Sequence, residues 1–214
     1  TAAGNGLDGL EGDDGTVIKN CTASFNGDNG IQTSEGCSVI HCNSFDNVND
    51  GIDVAAGSVV TGCSATDNGQ YGFDIALSCK VSDCSAYDNL SNGFDIASSC
   101  IVDSCHAALN NGHGFRTFAN ATIVNSKAHE NDQDGIRISS TDALVEGNTT
   151  TDNDWGGVVV TSSGCLILRN RAAGNLTNYV ITATSAFGPI VNVTGVGNIT
   201  AVPFASHPHA NFEY

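Results

Sequence analysis

Cys21, Cys42, Cys63, Cys84 and Cys105 stand 21 residues apart, and this period constrains the fold more than any other feature of the chain. The column continues at Ser126 and, after one-residue insertions, at Asn148 and Asn170. Three residues before it run Ile18, Val39, Val60, Val81, Val102, Ile123, Val145 and Ile167. Two residues after it run Ala23, Ser44, Ala65, Ala86, Ala107, Ala128, Thr150 and Ala172. Nine residues after it comes glycine (Gly30, Gly51, Gly72, Gly93, Gly114, Gly135, Gly157), each followed by an apolar residue. The longest column is asparagine, from Asn5 through Asn26, Asn47, Asn68, Asn89, Asn110, Asn131 and Asn153 to Asn175. Self-similarity at such a period is the mark of a solenoid.

The contents of one repeat decide which solenoid. Apolar residues alternate over short runs, Ile52 with Val54 and Phe73 with Ile75, and no 3.6-residue stripe appears. Between runs, Gly, Asn, Asp and Ser supply turn conformations. One repeat therefore holds about three short strands and three turns, a triangular coil whose strands pair with the next coil about 4.8 Å away. The asparagine column becomes an internal amide ladder. This pattern resembles the right-handed parallel β-helix repeat proteins, a group that includes pectate-lyase-like enzymes, over residues 5 to about 183. The expected fold is all-β, a right-handed parallel β-helix of roughly eight coils over 1–183. A capping tail is expected over 184–214. Cys37, Cys79, Cys100 and Cys165 form a second cysteine column. Stacked residues keep parallel Cβ vectors too far apart for disulfides, so buried thiol ladders are expected.

Asn5, Gly9 and Leu10 already fit the register, so the solenoid is expected to begin mid-coil with no capping helix within this sequence. The expectation is that the open strand edges meet either a preceding segment, removed from a chain that starts at Thr1, or another subunit.

With 7 Lys+Arg against 23 Asp+Glu, the net charge is −16. That field repels phosphate backbones, which argues against a nucleic-acid partner, and no apolar window reaches the length of a membrane span. A secreted or cell-surface location is expected. The outward residue of the strand after each glycine forms its own column: Glu11, Gln32, Asp53, Asp74, Asp95, Arg116, Arg137, Val159. Three stacked carboxylates repel one another by around 1 kcal/mol per pair even in a water-like dielectric. A catalytic stripe, Ca²⁺ binding at Asp53, Asp74 and Asp95, or a solvated face that keeps the tube soluble would each account for them. The residue before the glycine adds Asn29, Asp50, Tyr71, Asn92, His113 and Asp134. Tyr71, Asp74, Asp95, His113 and Arg116 are thus candidate catalytic residues sharing one patch, with Asp53, Arg137 and Trp155 as candidate substrate-binding residues.

"YGFD" at 71–74 is similar to the first four residues of the Tyr-Gly-Phe-Asp-Pro-His motif of mannuronan C5-epimerases, themselves right-handed β-helices. The resemblance implies proton removal and return at C5 with Tyr71 and Asp74, and with Asp95 and Arg116 helping to neutralise the uronate. Ile75 and Ala76 replace the motif's Pro and His, and His113 lies two coils away. Two functions fit these residues. One is a structural or glycan-binding β-helix, self-assembling end to end, with polysaccharide or a second copy as partner. The other is a polysaccharide-acting epimerase or lyase. Seven Asn-x-Ser/Thr sequons occur, at Asn20, Asn89, Asn120, Asn148, Asn175, Asn192 and Asn198. Asn89 and Asn175 belong to the inward ladder, and the others are open to glycosylation.

Overall fold

The computed structural model describes residues 1–182, 184–194 and 202–214. The chain winds into three parallel sheets, called A, B and C here. Sheet B has nine strands, the first seven following the glycine column, as in Phe73–Ile75; sheet C has nine, as in Lys80–Ser82; sheet A has eleven, as in Ser85–Tyr87. Incomplete coils at both ends carry these numbers past the eight expected from the repeat. Among the described residues no helix is long and apolar enough to cross a membrane.

Register is strict. Phe73 pairs with Ile52 below and Phe94 above, and every neighbouring coil repeats the match. Identical side chains therefore stack. The rings of Phe73 and Phe94 lie 4.6 Å apart and 3° from parallel, and those of Phe94 and Phe115 lie 4.8 Å apart. Sheet B turns both flanking residues of each strand inward, whereas sheets A and C turn in only the central one, such as Ala86 and Val81. Sheet B thus shows one outward column and the other two sheets show two each.

The corners are held by buried polar ladders. Between sheets A and B, Asn47 Nδ2 donates to Asn68 Oδ1 and Asn68 Nδ2 to Asn89 Oδ1, both at 2.9 Å. Each Oδ1 also accepts a backbone N–H from the coil below, as Asn89 Oδ1 does from Asn68 at 3.1 Å. A buried amide that satisfies backbone in two coils explains why Asn recurs where the chain turns. The residue before it takes a left-handed conformation, as Asp67 does at φ 54°. The glycine column has a different cause. A Cβ on Gly72 would lie 2.7 Å from the Gly93 carbonyl and 2.8 Å from Ala86 Cβ, so this corner admits no side chain and only small residues opposite.

All nine cysteines are free thiols. Between sheets C and A, the N–H of Cys42 points at Cys63 Sγ (3.3 Å) and that of Cys63 at Cys84 Sγ (3.4 Å). Higher up, this column becomes a second amide ladder. Asn148 Nδ2 donates to Asn170 Oδ1, and Asn170 Nδ2 to Asn211 Oδ1, both at 3.1 Å. Asn211 comes from the segment where the repeat is lost. Its strand, Asn211–Glu213, adds to sheet A between Arg171–Ala173 and Ile190–Asn192, so the last described residues extend the solenoid. Tyr179 Oη lies 2.8 Å from the Asn170 carbonyl and 3.0 Å from the Phe212 carbonyl at this junction, its one O–H shared between them.

Asn68→Ala removes the acceptor of one Asn47 amide hydrogen and of the Asn47 backbone N–H in a dry corner. Unfolding in denaturant should show a loss of about 3 kcal/mol, whereas the outward Ser85→Ala should change stability by less than about 0.5 kcal/mol.

Candidate functional site

The single outward column of sheet B is the most charged strip of the molecule. Asp53, Asp74, Asp95, Arg116 and Arg137 pair in register over five coils. Burial raises the pKa of all three carboxyls. Asp53 is pushed up to about 6, with the Asp74 charge adding to the effect. For Asp95, Arg116 and the Asn92 amide act in the opposite direction. Arg116 Nη1 lies 3.4 Å from Asp95 Oδ1, and its guanidinium stacks 5.0 Å from the Phe118 ring. Asn92 Nδ2 donates to Asp95 Oδ1 at 2.9 Å.

The flanking column before the glycine forms a further ladder that was not expected from the sequence. Each side-chain oxygen accepts the N–H one coil above: Asp8 from Asn29 (2.9 Å), Asn29 from Asp50 (3.0 Å), Asp50 from Tyr71 (2.8 Å) and Asn92 from His113 (2.8 Å). His113 continues it with Nδ1, which accepts from the Asp134 N–H at 3.1 Å, and Asp134 Oδ1 accepts from Gly156 at 2.8 Å. Tyr71 alone presents a phenol where its neighbours present an acceptor, so the ladder breaks between coils 71 and 92. The signal for this ladder was available, since its members are Asp, Asn or His. The column was read from sequence only as a possible patch.

The same ladder settles the state of His113. Nδ1 approaches Asp134 Oδ2 to 3.4 Å, which would suit an imidazolium ion pair. Its lone pair is however taken by the Asp134 N–H, and burial holds the imidazole below its usual pKa against the opposing charge of Asp134, with Arg137 and Arg116 adding to the lowering. With Nδ1 accepting from the backbone, Nε2 is the ring nitrogen left to carry the proton of a neutral imidazole. Asp134 is committed to Arg137 at 3.0 Å, which makes Arg137 a structural partner as well as a surface cation. Trp155, half exposed, meets the His113 ring edge-on at 6.5 Å.

Tyr71, Asp74, Asp95 and Arg116 thus share one neighbourhood: burial raises the Tyr71 phenol's pKa, and the charges of Asp95 and Arg116 act on it in opposite directions. His113, Arg137 and Trp155 lie two, three and four coils on from Tyr71, with His113 in the same coil as Arg116. Among the described residues no three His, Cys, Asp or Glu side chains converge as a metal-binding set, because the carboxylates stack along the axis. Of the sequons, Asn148 is fully buried in a ladder and so is not open to modification in the folded chain; Asn20, Asn120 and Asn192 are exposed, and Asn198 lies outside the described residues.

A family model described as the right handed beta helix region matches residues 5–136. The chain belongs to the right-handed β-helix family. No curated protein sequence matches it. Among solved structures, this β-helix is similar to the A-module of the Azotobacter vinelandii mannuronan C-5 epimerase AlgE4, with TM-score 0.70 and 17% identity over 80% of this chain and 57% of that one. It is also similar to a variant of the periplasmic alginate epimerase AlgG (TM-score 0.65, 15% identity, 78% and 47%). A third match is the pectate lyase Pel9A (TM-score 0.58, 15% identity, 77% and 52%). The chain spans about half the length of these structures, and at such identities the likeness is one of fold.

Carboxyls with raised pKa make the folded state hold protons that the unfolded chain releases. Asp50, raised to about 7 chiefly by burial, and Asp53, at about 6, therefore add stability as pH falls from 8 towards 4. Thermal unfolding should give a higher Tm at pH 5 than at pH 8, and Asp50→Asn should flatten that slope.

Proposed function

We propose that this β-helix is a secreted or cell-surface carbohydrate-binding protein that lays an extended glycan along the outward column of sheet B. The observation that carries this reading is the in-register run Asp53–Asp74–Asp95–Arg116–Arg137, with Tyr71 and Trp155 beside it. Carboxylates accept hydrogen bonds from sugar hydroxyls, guanidinium groups grip carboxylates, and an exposed indole offers a face to a pyranose ring. A Ca²⁺ ion between adjacent carboxylates would let the acidic half of the column hold a uronate. The names of the similar structures, two alginate epimerases and a pectate lyase, support a carbohydrate partner. End-to-end association of β-helices is a further part of the proposal, and a chain that stays monomeric at rising concentration removes it.

One observation favours a catalytic version. Tyr71 gives up a ladder bond that its column otherwise makes, and it stands beside carboxyls whose raised pKa suits proton transfer near neutrality. Asp74 would take the C5 proton of a uronate while Arg116 neutralises its carboxylate. Return of a proton from Tyr71 gives the epimer, and loss of the 4-O substituent instead gives an unsaturated sugar.

Isothermal titration with alginate, pectin and neutral oligosaccharides, with and without Ca²⁺, tests the binding reading. Asp74→Asn should weaken binding of at least one of them by about tenfold; silence across the panel overturns it. Solvent deuterium exchange at C5 and absorbance of unsaturated product test catalysis. Exchange that Tyr71→Phe and Asp74→Asn both abolish supports it, and its absence in the wild type with bound glycan rules it out for that glycan.

A further inference from the structure

The acidic charge of this molecule is unevenly placed. None of the eight sheet A strands from Thr22–Ser24 to Arg171–Ala173 contains an Asp or Glu, in a chain of net charge −16. One outward column of this sheet runs Thr22, Asn43, Ser64 and Ser85 in the early coils and becomes basic later; the other is uncharged up to Ala108, with Phe45 and Tyr87 among its members. His106, Lys127, Thr149 and Arg171 pair in register over four coils. His129 stands beside Lys127, with Nδ1 2.9 Å from Thr151 Oγ1.

The cations differ in how they are used. Arg116, Arg137 and Arg169 each meet a carboxylate at 3.4, 3.0 and 2.9 Å. His129 lies near Glu130 and Asp152 on the adjacent corner, at 3.3 and 3.7 Å, so the rim of the face is acidic. Lys127 and Arg171 are exposed and meet no carboxylate within 4.0 Å among the described residues. Arg171 is held instead by Tyr214, whose ring lies 5.5 Å from the guanidinium and whose hydroxyl accepts an Nη2–H at 2.6 Å. A pocket of about 340 Å³ opens there between Arg171, Val193, Phe212 and Tyr214.

We propose that this face is a binding site for an acidic polysaccharide, a uronan, lying along the solenoid axis with its carboxylates on Lys127 and Arg171 and a sugar ring in the pocket against Tyr214. Three features select that occupant. The two cations are two coils apart, roughly 10 Å, and a linear uronan repeats its carboxylates along one line. Between and below them the face offers hydroxyls, the partners that sugar hydroxyls need. On sheet B the arginines are already held by Asp95 and Asp134, whereas Lys127 and Arg171 meet no carboxylate among the described residues, so a polyanion reaches them without displacing an acid or needing a bridging cation. The site goes beyond the sheet B proposal and does not depend on it.

The test uses the described chain and a defined polygalacturonate oligomer, with a neutral glucan oligomer as comparison, titrated calorimetrically in EDTA. The expected result is binding of the uronan and not the glucan, weakening steeply with salt. Lys127→Glu should lower affinity by tenfold or more, roughly the loss expected of a charge-assisted contact. Arg171→Ala should do the same, Lys127→Arg should retain binding, and Lys80→Ala, which removes an exposed cation from sheet C, should leave it unchanged. Lys127 and Arg171 are exposed, so an unchanged melting temperature will show that the variants fold. The proposal is overturned by absence of uronan binding in EDTA, by equal binding of the glucan, or by variants at Lys127 and Arg171 that bind as the wild type does. Loss of binding in Lys80→Ala alone would move the site to sheet C and equally overturn it.

Discussion

The amide ladder between sheets A and B, from Asn5 to Asn175, sets the terms for everything else in this protein. Each rung satisfies backbone and side chain of the next coil at once, so a coil can neither slip nor lengthen freely without leaving buried polar groups unpaired. Strict register then forces like residues to stack, and stacking gives the parallel phenylalanine rings, the thiol column and the aligned outward charges a common cause.

Stacking also explains why the charged strip on sheet B has unusual chemistry. On an irregular surface three aspartates would spread apart and stay hydrated. Here the backbone holds them one coil apart, half shielded by the flanking ladder, and both desolvation and mutual repulsion favour the protonated form. Arg116 ends the run of like charge and relieves Asp95. Tyr71 is the point where the flanking ladder yields a backbone bond to place a phenol beside those carboxyls. The eight sheet A strands from Thr22–Ser24 to Arg171–Ala173 carry no carboxylate, and most acids sit on sheet B and at the corners.

Much of this was legible in the sequence. The 21-residue period named the solenoid, and the inward columns could be read because burial selects the same residue type at each turn. The Asp53–Asp74–Asp95–Arg116–Arg137 column followed from the same count. Less visible was the role of the residue before the glycine. Of this column Tyr71 and His113 were candidate site residues, and the acceptors of Asp50, Asn92, His113 and Asp134 each serve the coil above. Asn148 read as an open sequon and is instead a buried rung. Asn211 was invisible to the repeat, because its 41-residue separation from Asn170 breaks the period although the ladder continues.

The sequence by itself determined the β-helix, its register and which residues share a column, because in-register pairing translates a linear period directly into spatial neighbours. Only the tertiary structure decided which polar groups are already spent on backbone, how the final strand re-enters sheet A, and where the surface lacks carboxylates. Those properties depend on the environment around each side chain, on corners formed by segments far apart in the chain, and no count along a single repeat contains them.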